Sequence, residues 1–262
     1  MKLTRVLAVY SSLLILILAD LGHAAMVGPP FKIIQHALTV EITPAAHTVK
    51  AQDRLHLVVR AEAAKQGYFF LNKNLKINSI SYNGGKLKHG LTEPADSELS
   101  GTFPASWLVT VEFPETLSRG EEVQLVVTYQ GVIYDPPKSS PGLRFLVGSL
   151  TSGVISEAGV YLAGTTNWYP DLPSSLARFS IRVTAPRGWE VITQGELEER
   201  VQSGDRLRWS WRTNIGTDSL TLVAGRLQLA RKRLAGVDIY TYFQPQNMAL
   251  SARYLEAAAE YI

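Results

Sequence analysis

The sequence contains no cysteine. Disulfides, thiolate metal sites, cysteine nucleophiles and lipid attachment at an N-terminal cysteine are therefore all excluded. Histidine is scarce as well. The five are His23, His36, His47, His56 and His89, and no two have the i, i+4 spacing that puts a zinc pair on one helix face. H-E-x-x-H is absent, as are the G-x-S-x-G elbow, the P-loop and G-x-G-x-x-G. Excess charge is also slight. A formal net charge of +3 over 262 residues does not argue for nucleic acid as a partner. No internal repeat is present, and no polar low-complexity tract.

The longest apolar run, residues 6–19, falls short of the ~20 residues needed to cross a bilayer. It follows Lys2 and Arg5, and Gly22-His23-Ala24 places small residues at −3 and −1 of a cut before Ala25. Basic, apolar, then small is the order of a secretory signal. Residues 1–24 are therefore expected to direct export, to the periplasm or outside the cell. Membrane attachment would come only from failure to cut this signal.

Strand patterning fills most of the remaining chain. Leu38, Val40 and Ile42 alternate with polar residues, as do Leu55, Leu57 and Val59, then Trp107, Val109 and Val111, then Val123, Leu125, Val127 and Tyr129. The clearest case is Phe179, Ile181 and Val183 between Arg178, Ser180, Arg182 and Thr184. A period of two marks a sheet buried on one face. Asn83-Gly84-Gly85 signals a hairpin. Residues 89–103 and 134–142 are polar or Pro-rich and read as loops. Arg231-Lys232-Arg233, near Arg226, reads as a basic hairpin tip. Strands at short spacing with turns between predict an all-β fold, a large twisted antiparallel sandwich. The end differs. Leu250, Tyr254, Leu255, Ala258 and Ile262 fall at helical spacing, with no stop signal, and read as the opening of a helical domain.

One loop concentrates groups suited to ligand contact: Tyr161, Thr165, Thr166, Asn167, Trp168, Tyr169 and Asp171. It runs into the firm strand at 178–184, a common arrangement for binding residues. Packing of the same aromatics onto a sheet edge is the simpler alternative. Glu157 and Asp171 flank the loop and could serve a glycosidase, which needs two carboxylates across a cleft. Turn capping by Asp171 is the competing explanation. Trp209 and Trp211 share a strand face and read as core before sugar platform. Glu196, Glu198 and Glu199 read as a solvated face.

The order of short motifs resembles a known family. V-T-Y-Q-G (127–131) is followed by G-V-Y-L (159–162), N-W-Y-P (167–170), R-F-S-I-R-V-T-A-P-R-G-W (178–189), I-T-Q-G (192–195), W-S-W (209–211), L-V-A-G (222–225) and G-V-D-I-Y (236–240). This looks like the N-terminal β domain of the M1 (gluzincin) zinc aminopeptidases, in a divergent bacterial branch. After the signal at 1–24, the resemblance implies a β domain at 25–245 and the start of a helical catalytic domain at 246–262. In that family the catalytic domain carries G-x-M-E-N, H-E-x-x-H and a distal Glu ligand. None of these is in this sequence, so the resemblance implies no cofactor here and zinc in the missing domain. That domain and a peptide substrate are the implied partners. Tyr161, Asn167 and Trp168 are the expected substrate-binding residues, as pocket wall, with no catalytic or metal-binding residue. The sequence also departs from the family. Where many members carry a Gln or Glu that holds the substrate's free amino group, it has Gly159 and Tyr161. Two other readings stay open: a stand-alone exported β-sandwich binding module stacking carbohydrate on Trp168, Tyr169 and Tyr161, and a small glycosidase using Glu157 and Asp171.

Overall fold

In strand after strand, apolar side chains at alternate positions turn inward and their neighbours face water. β2 (Thr48–Val59) is the plainest case, with Val49, Ala51, Leu55, Leu57 and Val59 all buried. The computed structural model describes residues 29–94, 106–136, 151, 153–172 and 175–262. The expected signal at 1–24, most of the loop at 134–142, the loop end at 95–103 and Pro173 lie outside them.

The remaining strands are β1 (Phe31–Thr43), β3 (Ala63–Asn72), β4 (Leu75–Tyr82), β5 (Gly85–Lys86), β6 (His89–Thr92), β7 (Ser106–Ser118), β8 (Glu122–Val132), β9 (Val154–Ser156), β10 (Gly159–Leu162), β11 (Arg178–Pro186), β12 (Glu190–Ile192), β13 (Glu196–Ser203), β14 (Arg206–Arg212), β15 (Leu222–Gly225), β16 (Gln228–Leu234) and β17 (Val237–Phe243). Eight form one sheet, in the order β13-β14-β11-β1-β2-β8-β4-β5. Smaller sheets are β3-β7-β6, β12-β15-β10-β9 and the hairpin β16-β17. The fold is all-β with a C-terminal helix, as expected. Phe69, Val111 and Phe113 of the three-stranded sheet face Phe31, Ile33, Leu55 and Leu125 of the large one. Val160, Leu162, Leu222 and Ala224 of the four-stranded sheet join the same core.

Four details depart from the sequence reading. Pairing is not wholly antiparallel: β1 and β11 run parallel, with Leu38 opposite Ile181. β11 returns to the large sheet only after β9 and β10 have begun another, so no hairpin fixes its direction. Residues 89–92, read as loop, form β6, because their backbone can pair with β7. Arg231-Lys232-Arg233 lie within β16. The hairpin tip is Ala235-Gly236, with φ of 48° and 83°, the left-handed pair that a two-residue turn needs. Asn83 and Gly84, at 49° and 79°, make the equivalent turn where the sequence placed it. Lastly, the terminal helix is shorter than 247–262. A 3-10 turn, Pro245–Leu250, leads into α1 (Ser251–Ala259).

The helix also has a partner surface. Leu255 and Ser251 are buried, the Tyr254 and Phe243 rings lie 5.3 Å apart, and Lys232 Nζ meets Glu256 Oε2 at 2.6 Å. Tyr254 nonetheless stays more than half exposed, and Leu250, Tyr261 and Ile262, which flank the helix, are exposed as well. Among the described residues no helix is long and apolar enough to cross a membrane.

Candidate functional site

The loop between β10 and β11 is pinned at both ends. A single 3-10 turn, Gly164–Thr166, ends at Asn167 in the left-handed region, φ 50°. Asn tolerates this conformation better than most residues. Asn167 Nδ2 donates to Ser106 Oγ at 2.8 Å, and its carbonyl accepts from the Asn72 amide at 2.8 Å. Asn72 Nδ2 returns a bond to the Thr166 carbonyl at 3.0 Å. Trp168 Nε1 donates to the Leu220 carbonyl at 3.1 Å, and the Leu220 amide donates to the Tyr169 hydroxyl at 3.0 Å. Asp171 then pairs with Phe70 of β3 through two backbone bonds, 2.8 and 3.0 Å. The loop thus ties β3, β7 and the entry to β15 together.

Beneath it lies a polar cluster inside the core. His36 Nδ1 and Asp53 Oδ2 meet at 2.7 Å, both side chains fully buried. The His36 ring stacks flat on Phe179 at 4.5 Å and takes the Tyr169 ring edge-on at 5.2 Å. His36 Nε2, Asp53 Oδ1 and the Tyr129 hydroxyl are buried with no hydrogen-bond partner among the described residues. Burial, then the charge of Asp53, holds the Tyr129 hydroxyl well above its usual range. Burial, then the charge of Asp171, does the same to Tyr169. Asp171 accepts from its neighbour Leu172 N–H at 2.8 Å and from the Tyr169 hydroxyl at 3.4 Å. Burial nonetheless lifts its carboxyl from 3.8 to about 6, against the opposing pull of His36.

The three expected pocket residues part company. Tyr161 sits on β10 between the inward Val160 and Leu162 and is 47% exposed. Asn167 and Trp168 are 1% and 0% exposed, and their polar groups are spent on the chain itself. Tyr169 is equally buried. Of the three rings proposed as a sugar platform, Tyr161 is the one at the surface. Trp209 and Trp211 are in the core. Glu157 is exposed in the turn between β9 and β10, whereas Asp171 is anchored on β3. Among the described residues no group of three or more His, Asp or Glu side chains could hold a metal ion.

Sequence reasoning missed His36, Asp53 and Tyr129. A signal was there. His36 continues the inward positions of Leu38, Val40 and Ile42. Asp53 continues those of Leu55 and Leu57. A polar residue at an inward position of two strands is rare unless the two are paired. In the observed register Leu38 faces Asp53 and His36 faces Leu55, so the two polar residues are diagonal neighbours on one face.

No family model and no curated protein matches the sequence. Solved structures do match. The M1 zinc metallopeptidase from Deinococcus radiodurans superposes with a TM-score of 0.59 at 19% identity, covering 81% of this chain and 47% of that one. The fold is that of part of an M1 zinc metallopeptidase. A mutant of the same enzyme bound to a Tyr-Ser-Ala substrate matches at TM-score 0.60 and 18% identity. A two-domain M1 zinc metallopeptidase mutant bound to L-arginine matches at 0.61 and 18%. Each covers 81% of this chain and 47% of that chain. The chain thus spans about half the length of the M1 structures it matches. The M1 fold is what the order of motifs led us to expect.

Proposed function

We propose that this chain is the non-catalytic N-terminal β domain of an exported M1-like zinc peptidase and forms one wall of its substrate cleft. The observation that carries this is the coverage: four-fifths of this chain corresponds to under half of a two-domain peptidase. In this reading residues 25–245 are the β domain, and the helical segment from 246 opens the domain that carries H-E-x-x-H. Zinc held there supplies an activated water for peptide hydrolysis. The residues of this chain contribute shape. Tyr161 offers an exposed ring to the substrate. Asn167 and Trp168 hold the loop behind it through Ser106 and Leu220. Gly159 and Tyr161 provide neither carboxylate nor carboxamide for a free amino group, so this domain does not enforce strict amino-terminal specificity. The basic, apolar, small-residue order of residues 1–24 supports export.

The test joins genetics to kinetics. The reading frame beyond codon 262 and the adjacent genes are read for H-E-x-x-H, and the complete protein or the pair is purified and assayed on peptides. Tyr161→Ala is expected to raise KM several-fold with kcat largely retained, as loss of ground-state contact requires. If no such domain is encoded there and the native protein hydrolyses no peptide, the proposal fails.

A further inference from the structure

The outward face of the large sheet carries a second candidate site, far in character from the aromatic loop. On β11, Arg178, Ser180 and Arg182 face away from the core, between buried Phe179, Ile181 and Val183. Their cross-strand partners are fixed by register. Ser180 lies opposite Ala37 on one side and Arg212 on the other. Ala37 in turn lies opposite Arg54. Two small side chains, Ala37 and Ser180, therefore floor a depression lined by Arg178, Arg182 and Arg212, with Arg54 the cross-strand neighbour of Ala37. Clefts of about 500 and 350 Å³ open there, and both are lined by Ala37, Ser180 and Arg212. Arg182 lines the first and Arg178 the second.

The charges on this face are unbalanced. Arg212 Nε is paired with Glu198 at 2.7 Å. Glu199, the other carboxylate lining the larger cleft, is engaged by Arg208 at 3.6 Å and by Ser210 at 3.4 Å. Arg54, Arg178 and Arg182 have no ion pair or hydrogen bond among the described residues. Like charges grouped this way repel and favour a bound anion. Guanidinium groups bind carboxylate and sulfate by paired parallel bonds.

We propose that this groove binds a linear acidic polysaccharide, one that carries carboxylate or sulfate groups on successive units. Spacing favours an extended polyanion over a single small ion. Arg178 and Arg182 lie four residues apart along a strand, ~13 Å, and Arg54 and Arg212 are three strand spacings apart, ~14 Å. The floor and walls supply hydroxyl and amide groups from Thr39, Ser180, Gln35 and Asn214, which suit sugar hydroxyls. β1 and β11 are paired on both edges, so an acidic peptide cannot add to them as a strand. The cleft linings include no ring for stacking bases except buried Phe179, which disfavours single-stranded nucleic acid. A flat anionic membrane would meet the carboxylates of β13 at the rim. The inference stands whether or not the chain belongs to a peptidase.

The experiment is calorimetric titration of the protein with oligogalacturonate and with a heparin-derived octasaccharide. Neutral dextran, inorganic sulfate, an oligoglutamate peptide and anionic phospholipid vesicles are run beside them. Binding of at least one acidic oligosaccharide, weakened by salt and absent with dextran, is expected. Arg178→Ser with Arg182→Ser should lower affinity at least tenfold, and Arg54→Ser several-fold, with unfolding midpoints unchanged. Arg119→Ser, on another surface and paired with Glu62, should change nothing. The proposal is overturned if neither oligosaccharide binds at low salt. It is equally overturned if Arg119→Ser weakens binding as much as the groove variants, or if the peptide, the vesicles or sulfate alone bind as tightly.

Discussion

Two regions of this molecule use aromatic side chains in opposite ways. At the centre, Trp168 and Tyr169 are 0% exposed, and each polar atom meets a backbone partner at Leu220. In the C-terminal unit of β16, β17 and α1, Tyr254 and Tyr261 are 55% and 92% exposed. The first region is held by contacts between residues distant in sequence. The second is a hairpin with a nine-residue helix laid on it, joined by Leu255, a ring pair and an exposed ion pair. Exposed ion pairs contribute little, and a helix this short depends on packing. The centre should therefore set global stability, while the C-terminal unit opens separately at lower cost.

The largest effect should come from the buried pair. Asp53→Ala leaves the buried His36 with neither ring nitrogen bonded among the described residues. Removing one partner of a buried ionic pair typically costs ~3–5 kcal/mol. Replacing both, as His36→Leu with Asp53→Leu, should restore much of that loss, since neither orphan remains. Urea unfolding measures both. A single-variant loss below about 1 kcal/mol, far under that range, would mean that the pair does not organise the core.

Asp171 gives a smaller effect with a defined pH sign. Its carboxyl is raised from 3.8 to about 6 in the folded chain, facing Tyr169, His36 and Asp53. Between those values the folded state binds more protons than the unfolded state. Stability from this group therefore falls as pH rises through that window and is level above it. The total is on the order of 3 kcal/mol. Asp171→Asn keeps an oxygen for the Leu172 amide but has nothing to ionise. It should flatten the profile and be the more stable form at pH 7. Parallel stability profiles for the two proteins from pH 4 to 7 would contradict this assignment.

Much of the fold could be read from alternation, because one buried face imposes a period of two wherever it occurs. β11 and the Asn83-Gly84 turn are where the sequence put them. What alternation lacks is pairing. The parallel join of β1 to β11 depends on which strand arrives beside which, and no local pattern encodes that. The same gap hid the cluster at His36, since its meaning depends on the register that brings Asp53 alongside. In the candidate loop, composition singled out polar and aromatic groups but not their direction: Asn167 and Trp168 turn inward. Their partners, Ser106 and Leu220, lie some 60 and 50 positions away in the sequence. Tyr161 was legible as outward from its place between Val160 and Leu162. The basic run of β16 was misplaced because charge looks like a turn, while the true turn, Ala235-Gly236, holds an alanine in a conformation alanine disfavours.

That alanine offers the smallest and most discriminating change. Ala235 has φ of 48°, where a Cβ crowds the following carbonyl. Asn is the favoured first residue of such a turn. Ala235→Asn should therefore stabilise the β16–β17 hairpin by about 0.5–1 kcal/mol. If the C-terminal unit opens alone, the gain will appear as two- to fivefold slower amide exchange in β16, β17 and α1, with the global unfolding midpoint unmoved. If the unit and the central sheets unfold together, the midpoint will rise and exchange will slow everywhere by the same factor. The second pattern would remove the contrast between the regions. The buried face of α1 would then be as firmly held as the core around His36, despite the tyrosines it leaves in water.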